Sequence, residues 1–283
     1  MSTAPTLSPI DTPHCIAFVG GGNMARSLIG ALIARGSSAT QIRVAEPVEA
    51  VRESLARDFD VAVFADARDA CRDADLWLLA VKPQVMRNVC EDLADLARSQ
   101  QALVVSIAAG ITAVQLQRWL GGDAAVIRAM PNTPALLGAG MTGLFASDQV
   151  DAAGRQRAQA LLASAGKTVW IEDEASMDAV TAVSGSGPAY VFLLAEAMEA
   201  AARQQGLDGQ AARTLVLQTV LGAARMLTES DESPGTLRQR VTSPNGTTQA
   251  AIEALQAGQF GELVATAIQA ATERGRALSA AND

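Results

Sequence analysis

Two segments of this chain hold residues whose types and spacing suit anionic small molecules. Gly20-Gly21-Gly22-Asn23-Met24-Ala25 follows the apolar run Ile16 to Val19 and has GxGxxA spacing. Small residues there let the backbone approach a pyrophosphate, and a helix starting at that point stabilises its charge. Glu46 ends the second apolar run, where an acidic residue accepts hydrogen bonds from adenine-ribose hydroxyls. The alternative is a merely tight strand–helix turn. Further on, Thr242-Ser243-Pro244-Asn245-Gly246-Thr247-Thr248 is a turn delivering hydroxyls and backbone N–H groups to the start of a helix. Such a turn is a nest for a carboxylate, although ordinary helix capping uses the same residue types.

Other short motifs are candidates by position. Ala80-Val81-Lys82-Pro83 ends the fourth apolar run, at the sheet edge where open α/β folds bind ligands, so Lys82 could lie along a cofactor. Ser106-Ile107-Ala108-Ala109-Gly110 ends the fifth with small residues, and Arg128-Ala129-Met130-Pro131-Asn132-Thr133-Pro134 forms a rigid turn. Ser184-Gly185-Ser186-Gly187-Pro188 reads as serine caps and a first-turn proline at a helix start. Glu174 closes the acidic segment Glu172-Asp173-Glu174 and is a polar candidate for a ligand contact.

Scarcity restricts the chemistry further. The single histidine is His14, near the N-terminus, which disfavours a Ser-His-Asp triad, a Cys-His pair or a histidine-ligated metal. Lysine occurs only at Lys82 and Lys167, so Schiff-base chemistry has two candidates. Cys15, Cys71 and Cys90 form no CxxC pair and read as buried spectators in a reducing compartment. A net charge of −8 disfavours nucleic acid or an anionic membrane as partner. The longest wholly apolar stretch, 188–195, falls far short of the roughly 20 residues that span a bilayer, and the opening segment lacks a signal-peptide pattern. The expectation is a soluble, cytoplasmic protein. Trp77, Trp119 and Trp170 are dispersed and read as core packing rather than base stacking.

Elements must position these groups. With 49% hydrophobic residues over 283, the chain has apolar material for one large or two medium domains. Strand-length apolar runs at 16–20, 42–45, 61–64, 76–81 and 103–108 alternate with polar helical segments such as 49–58 and 86–98, which predicts a parallel sheet wrapped by helices. Runs at 125–130, 141–146 and 168–171 extend the sheet, with a helix near 151–165. Beyond residue 173 the pattern is helical: 174–183, 187–205, 209–229, 247–257 and 260–280. The fold class is therefore α/β plus all-α, with a flexible extension over 1–13, a nucleotide-binding domain over 14–173 and a helical domain over 174–283. Helices 187–205 and 209–229 are apolar around most of their circumference, more than one face of a small domain buries, which predicts a subunit interface.

Taken together, GGGNMA, AVKPQ, SIAAGI, MPNTPA, AVSGSGPAY and VTSPNGTT occur in that order across nearly the whole chain, which closely resembles the pyrroline-5-carboxylate reductase family. The resemblance implies a Rossmann-like doubly wound sheet followed by a helical dimerisation domain. It implies NADPH or NADH as hydride donor, no metal, a cyclic imine as substrate, and a homodimer as the minimal unit, leaving open a larger assembly of dimers. It places Gly20, Gly22, Asn23, Met24 and Ala25 at the pyrophosphate, and Val81, Lys82, Pro83, Ala108 and Ala109 along the ribose and nicotinamide. The substrate falls to Ser243, Gly246, Thr247 and Thr248 with Glu174 nearby, and Thr248 is the choice to hydrogen-bond the ring nitrogen. Three positions depart from the family pattern: Asn245 replaces a glycine in the substrate loop, Ala67 stands where many relatives have an adenosine-contacting asparagine, and Glu46 stands where others have a small or basic residue. Asparagine tolerates left-handed dihedrals, so the turn should survive.

Reduction of a cyclic imine needs hydride on carbon and a proton already on nitrogen, but no nucleophile, metal or strong base, which matches the inventory. A β-hydroxyacid dehydrogenase would share the domain plan but use a lysine as acid/base, and neither lysine lies in the helical half. A cofactor-binding scaffold would use the helices only for association. On cofactor choice, Glu46 should repel a 2′-phosphate, with no arginine in the next five residues to offset it.

Overall fold

The computed structural model describes residues 15–282; the expected N-terminal extension and His14 lie outside them. The chain divides into two compact units, one running to Ser186 and taking in the chain again from Ala271, the other Gly187–Ala270.

The first unit is built on an eight-stranded sheet. Its strands are β1 (Ile16–Val19), β2 (Ile42–Ala45), β3 (Ala62–Phe64), β4 (Leu76–Leu79), β5 (Leu103–Ser106), β6 (Val126–Met130), β7 (Gly140–Ala146) and β8 (Gly166–Trp170). Their spatial order is 3-2-1-4-5-6-7-8, so the connections reverse direction between β1 and β4. Helices α1 (Asn23–Ala34), α2 (Glu49–Phe59), α3 (Ala67–Cys71), α4 (Pro83–Gln100), α5 (Ala113–Trp119), α6 (Ala152–Ala163) and α7 (Met177–Val180) join and cover the strands. Alternate strand residues feed two apolar layers. Phe18, Val44, Leu78, Val105 and Ile127 pack with Leu28, Ile29 and Leu55 on one face. Val19, Trp77, Leu79, Val104 and Val126 pack with Met86, Cys90 and Leu93 on the other. Burial on both faces is why these strands read as continuous apolar runs.

The sheet departs from the expected all-parallel arrangement at one place: β7 runs antiparallel to β6, while β8 is parallel to β7. The connection from Met130 to Gly140 holds only a short 3-10 turn, Thr133–Leu137, too little chain for a crossover of a dozen or more residues. Helix α6 supplies that length between β7 and β8.

The packing division falls later than residue 173, because elements after the last strand still lie on the sheet. Gly143 of β7 has no room for a Cβ, which would come within 2.5 Å of Val180 on α7. The Ser184–Ser186 segment, which leads into the helix starting at Gly187, also closes a turn behind it. It lies in a π-turn over Thr181–Gly185, in which the Ser186 N–H donates to the Thr181 carbonyl at 2.8 Å and Ser184 Oγ donates back to the Val180 carbonyl at 2.9 Å. Both serines thus serve turns behind them, and such π-turns recur at functional sites.

The second unit contains α8 (Gly187–Gln204), α9 (Gly209–Glu229), α10 (Pro234–Arg240) and α11 (Thr247–Ala257), with α12 (Phe260–Ala280) beginning in it. Helix α10, started by a Ser233 cap and Pro234, has too short an apolar pattern to stand out in the sequence. Within the unit α8 and α10 pack against α9. Burial is sparse: α8 and α11 have no buried residue, and Phe192 and Leu193 are each 66% exposed. An apolar surface of this kind marks an interaction face.

Candidate active site

The glycine turn sits at the C-terminal end of β1, beside the point where strand order reverses. Gly20 has φ +101°, its N–H donates to the Ala45 carbonyl at 2.8 Å, and a Cβ there would lie 2.8 Å from the Ala80 carbonyl oxygen. No other residue type fits both the dihedral and the space. At Gly21 a Cβ would meet Leu55 at 2.6 Å. Gly22 differs: its backbone is extended at φ −68° and ψ −177°, and a Cβ there would meet nothing within 4 Å. The protein's own packing does not require glycine at that position, so an open surface lies over the first turn of α1, as a bound pyrophosphate requires. Asn23 is exposed at that turn, Met24 packs partly into the core, and Ala25 is wholly buried beneath it, where its small size lets helix meet sheet.

Neighbouring strand ends complete the edge. Lys82 is exposed and precedes α4, whose first residue is Pro83, and Val81 is half-buried. After β5, buried Ser106 accepts the Ala108 N–H at 3.4 Å, and Ala108 and Ala109 are half-buried. Gly110 is held by the chain's last turn: the Asn282 side-chain amide donates to its carbonyl at 3.0 Å, and Gln115 donates to the Ser279 carbonyl at 2.9 Å. The structure thus gathers all the candidate cofactor residues on one edge, formed by the ends of β1, β2, β4 and β5.

Glu46 is more engaged than its position at the end of β2 implies. Oε2 accepts the Gly21 N–H at 2.9 Å and Oε1 accepts the Val48 N–H at 3.0 Å, tying the glycine turn to the loop after β2. Arg52, one turn into α2, reaches back and donates from Nη1 to the carbonyls of Glu46 at 2.8 Å and Pro47 at 2.7 Å.

Glu174 belongs to the same unit. Its Oε1 accepts from Arg128 Nη1 at 2.8 Å and from the Ala113 N–H, at the start of α5, at 2.6 Å. Asn132 joins two of the sequence motifs: its amide donates to the Ser184 carbonyl at 3.0 Å and its oxygen accepts the Met141 N–H at 2.9 Å. Sequence reasoning missed this latch, since the partners are 52 and 9 residues away.

In the helical unit, one turn draws Ser243, Gly246, Thr247 and Thr248 together. Asn245 adopts φ +60°, the left-handed conformation expected of it, and its N–H donates to Gln249 at 2.7 Å. The Gly246 N–H is spent on the Ser243 carbonyl at 3.0 Å, which corrects its place among the anion donors: a tight turn closes there. No side chain caps α11, and among the described residues no acceptor meets the N–H groups of Thr247, Thr248 and Gln249. Thr247 is exposed and Thr248 half-buried, so open first-turn donors and a hydroxyl stand on one helix end.

The thiols are unfit for nucleophilic work. All three are buried and unpaired, and burial pushes Cys71 and Cys90 up to about 12. No three His, Cys, Asp or Glu side chains among the described residues are placed to hold a metal ion.

Comparison with known proteins agrees with this geometry. Residues 174–278 match the family model for pyrroline-5-carboxylate reductase dimerisation, and residues 15–110 match that for NADP oxidoreductase, coenzyme F420-dependent. Pyrroline-5-carboxylate reductase from Pseudomonas aeruginosa is 50% identical over 270 residues, 95% of this chain and 98% of the relative. The chain belongs to the pyrroline-5-carboxylate reductase family. A solved structure of the enzyme from Coxiella burnetii, 42% identical, superposes with a TM-score of 0.91 over 95% of this chain and 99% of the other. The Plasmodium falciparum enzyme, crystallised with NADP bound, is 27% identical with a TM-score of 0.82 over 94% and 98%. Family membership accounts for the order of the motifs along the chain and for a helical unit that leaves so much apolar surface uncovered.

Proposed function

We propose that this chain is an oxidoreductase that reduces 1-pyrroline-5-carboxylate to L-proline with NADPH or NADH, the last step of proline biosynthesis, working in the cytoplasm as a homodimer. The observation that carries this reading is the uncapped start of α11, where the N–H groups of Thr247, Thr248 and Gln249 face no acceptor among the described residues. They suit a carboxylate, and the Thr248 hydroxyl shares that turn. The glycine turn, with open space over Gly22, supports dinucleotide binding on the other unit.

The dinucleotide, when bound, supplies a hydride. The chain's own part is to bind and orient. The first-turn N–H groups of α11 fix the substrate carboxylate and so the ring face presented. The Thr248 oxygen accepts a hydrogen bond from the protonated ring nitrogen, keeping the proton there while the adjacent carbon becomes tetrahedral. Lys82 lines the cofactor edge with Val81, Pro83, Ala108 and Ala109, while Glu174 holds the start of α5 through Ala113. No side chain acts as nucleophile.

The test is to mix purified protein with reduced nicotinamide dinucleotide and pyrroline-5-carboxylate and follow the nicotinamide absorbance. A fall that depends on the imine supports the reading. Absorbance that rises instead with a β-hydroxyacid and the oxidised cofactor would replace it, and binding without turnover in either direction would indicate a scaffold.

A further inference from the structure

We infer that Arg52 is the residue that admits a 2′-phosphate at the adenosine end of the cleft, in spite of the carboxylate of Glu46; this rests on the proposed use of a nicotinamide dinucleotide. The end of β2 is where a Rossmann-type sheet meets the adenine ribose. Read along the chain, that corner carries a carboxylate and no cation in the five residues after it. Folded, Arg52 is brought back onto the corner, with both Nη1 hydrogens on the carbonyls of Glu46 and Pro47.

Two features suit the guanidinium to a phosphate. It is pinned and half-buried, so little side-chain freedom is lost on binding. Its Nε and Nη2 meet no acceptor among the described residues, which leaves donors of the planar fork available for phosphate oxygens. Nearby cations are otherwise engaged: Arg26 pairs with Asp58 and lies over the Phe59 ring, and Arg57 also faces Asp58. Glu46, for its part, is held by the N–H groups of Gly21 and Val48, one on each carboxylate oxygen, so its side chain is fixed towards the glycine turn and the loop after β2. The corner thus carries a carboxylate for free ribose hydroxyls and a fixed cation for a phosphate, an arrangement that accepts both dinucleotides.

The test measures binding, apart from turnover, by calorimetric titration of NADP+ and NAD+ into the wild-type protein, Arg52→Gln and Arg52→Lys. The expected result is that Arg52→Gln weakens NADP+ at least tenfold and leaves NAD+ within twofold. The Lys variant keeps the charge but loses the fork, so its Kd ratio falls between the other two. Equal weakening of both dinucleotides, or an unchanged ratio across the three proteins, overturns the inference and leaves Arg52 a loop anchor. A wild-type protein that binds neither dinucleotide overturns the proposed function itself.

Discussion

Glu174 Oε1 stands 2.8 Å from Arg128 Nη1, on side chains that are 22% and 8% exposed, and the same oxygen accepts the Ala113 N–H. One carboxylate therefore neutralises a buried guanidinium on β6 and satisfies the first turn of α5. Removing it strands both. Glu174→Ala should destabilise the protein by about 2–4 kcal/mol, and Glu174→Gln, which keeps an acceptor, by about half as much. Urea unfolding measures both; a loss below roughly 0.5 kcal/mol for the alanine variant would show that the pair contributes nothing.

Thr248→Val preserves shape and backbone while deleting the hydroxyl. We expect kcat/KM for the imine to fall about ten- to a hundredfold, roughly 1.5–3 kcal/mol, with melting temperature and dinucleotide affinity unchanged. Thr247→Val should cost less, because the N–H groups do not depend on side chains. Full activity in Thr248→Val eliminates the role proposed for its hydroxyl, and a collapse of stability would identify a structural contact instead.

Phe192 and Leu193 extend side chains that are two-thirds exposed from a helix with no buried residue, in a region matched by a dimerisation model. Phe192→Asp would place a charge in a desolvated interface, so dimer dissociation should strengthen by at least a hundredfold, or about 3 kcal/mol. Sedimentation velocity across a dilution series gives the dissociation constant, and specific activity should track the dimer fraction. A monomeric variant with full activity would contradict the proposal that the homodimer is the working unit.

Burial raises the Cys71 and Cys90 thiols from 9.0 to about 12, while the unfolded chain titrates near 9.0. Their contribution to stability is fully present below pH 9 and is lost as pH rises through the interval to about 12, since only the unfolded chain releases those protons there. The decline in unfolding free energy between pH 9 and 11 should be shallower in Cys90→Ala than in the wild type, whatever the cavity costs at neutral pH. At pH 8 a thiol reagent should modify Cys71 and Cys90 rapidly only after unfolding.

The sequence alone determined the features that depend on neighbours in the chain. Continuous apolar runs report strands buried on both faces, and the change to helical periodicity after residue 173 reports the second architecture. The glycine turn and the left-handed Asn245 are likewise local, because dihedral preference is a property of the residue itself. Tertiary structure decided what depends on distant partners. The strand direction at β7 came from a connection too short for a crossover, and the π-turn at Thr181–Gly185 gave Ser184 and Ser186 hydrogen bonds to residues behind them. Arg52 joined the corner at the end of β2 because one turn of α2 lays its side chain on the carbonyls of Glu46 and Pro47. Glu174 was legible as polar and near a junction, but not as the partner of Arg128, which lies 46 residues away in sequence and beside it only through the sheet. Hydrogen-bond satisfaction inside a fold is settled by which groups the packing brings together, and a linear pattern records no such pairing.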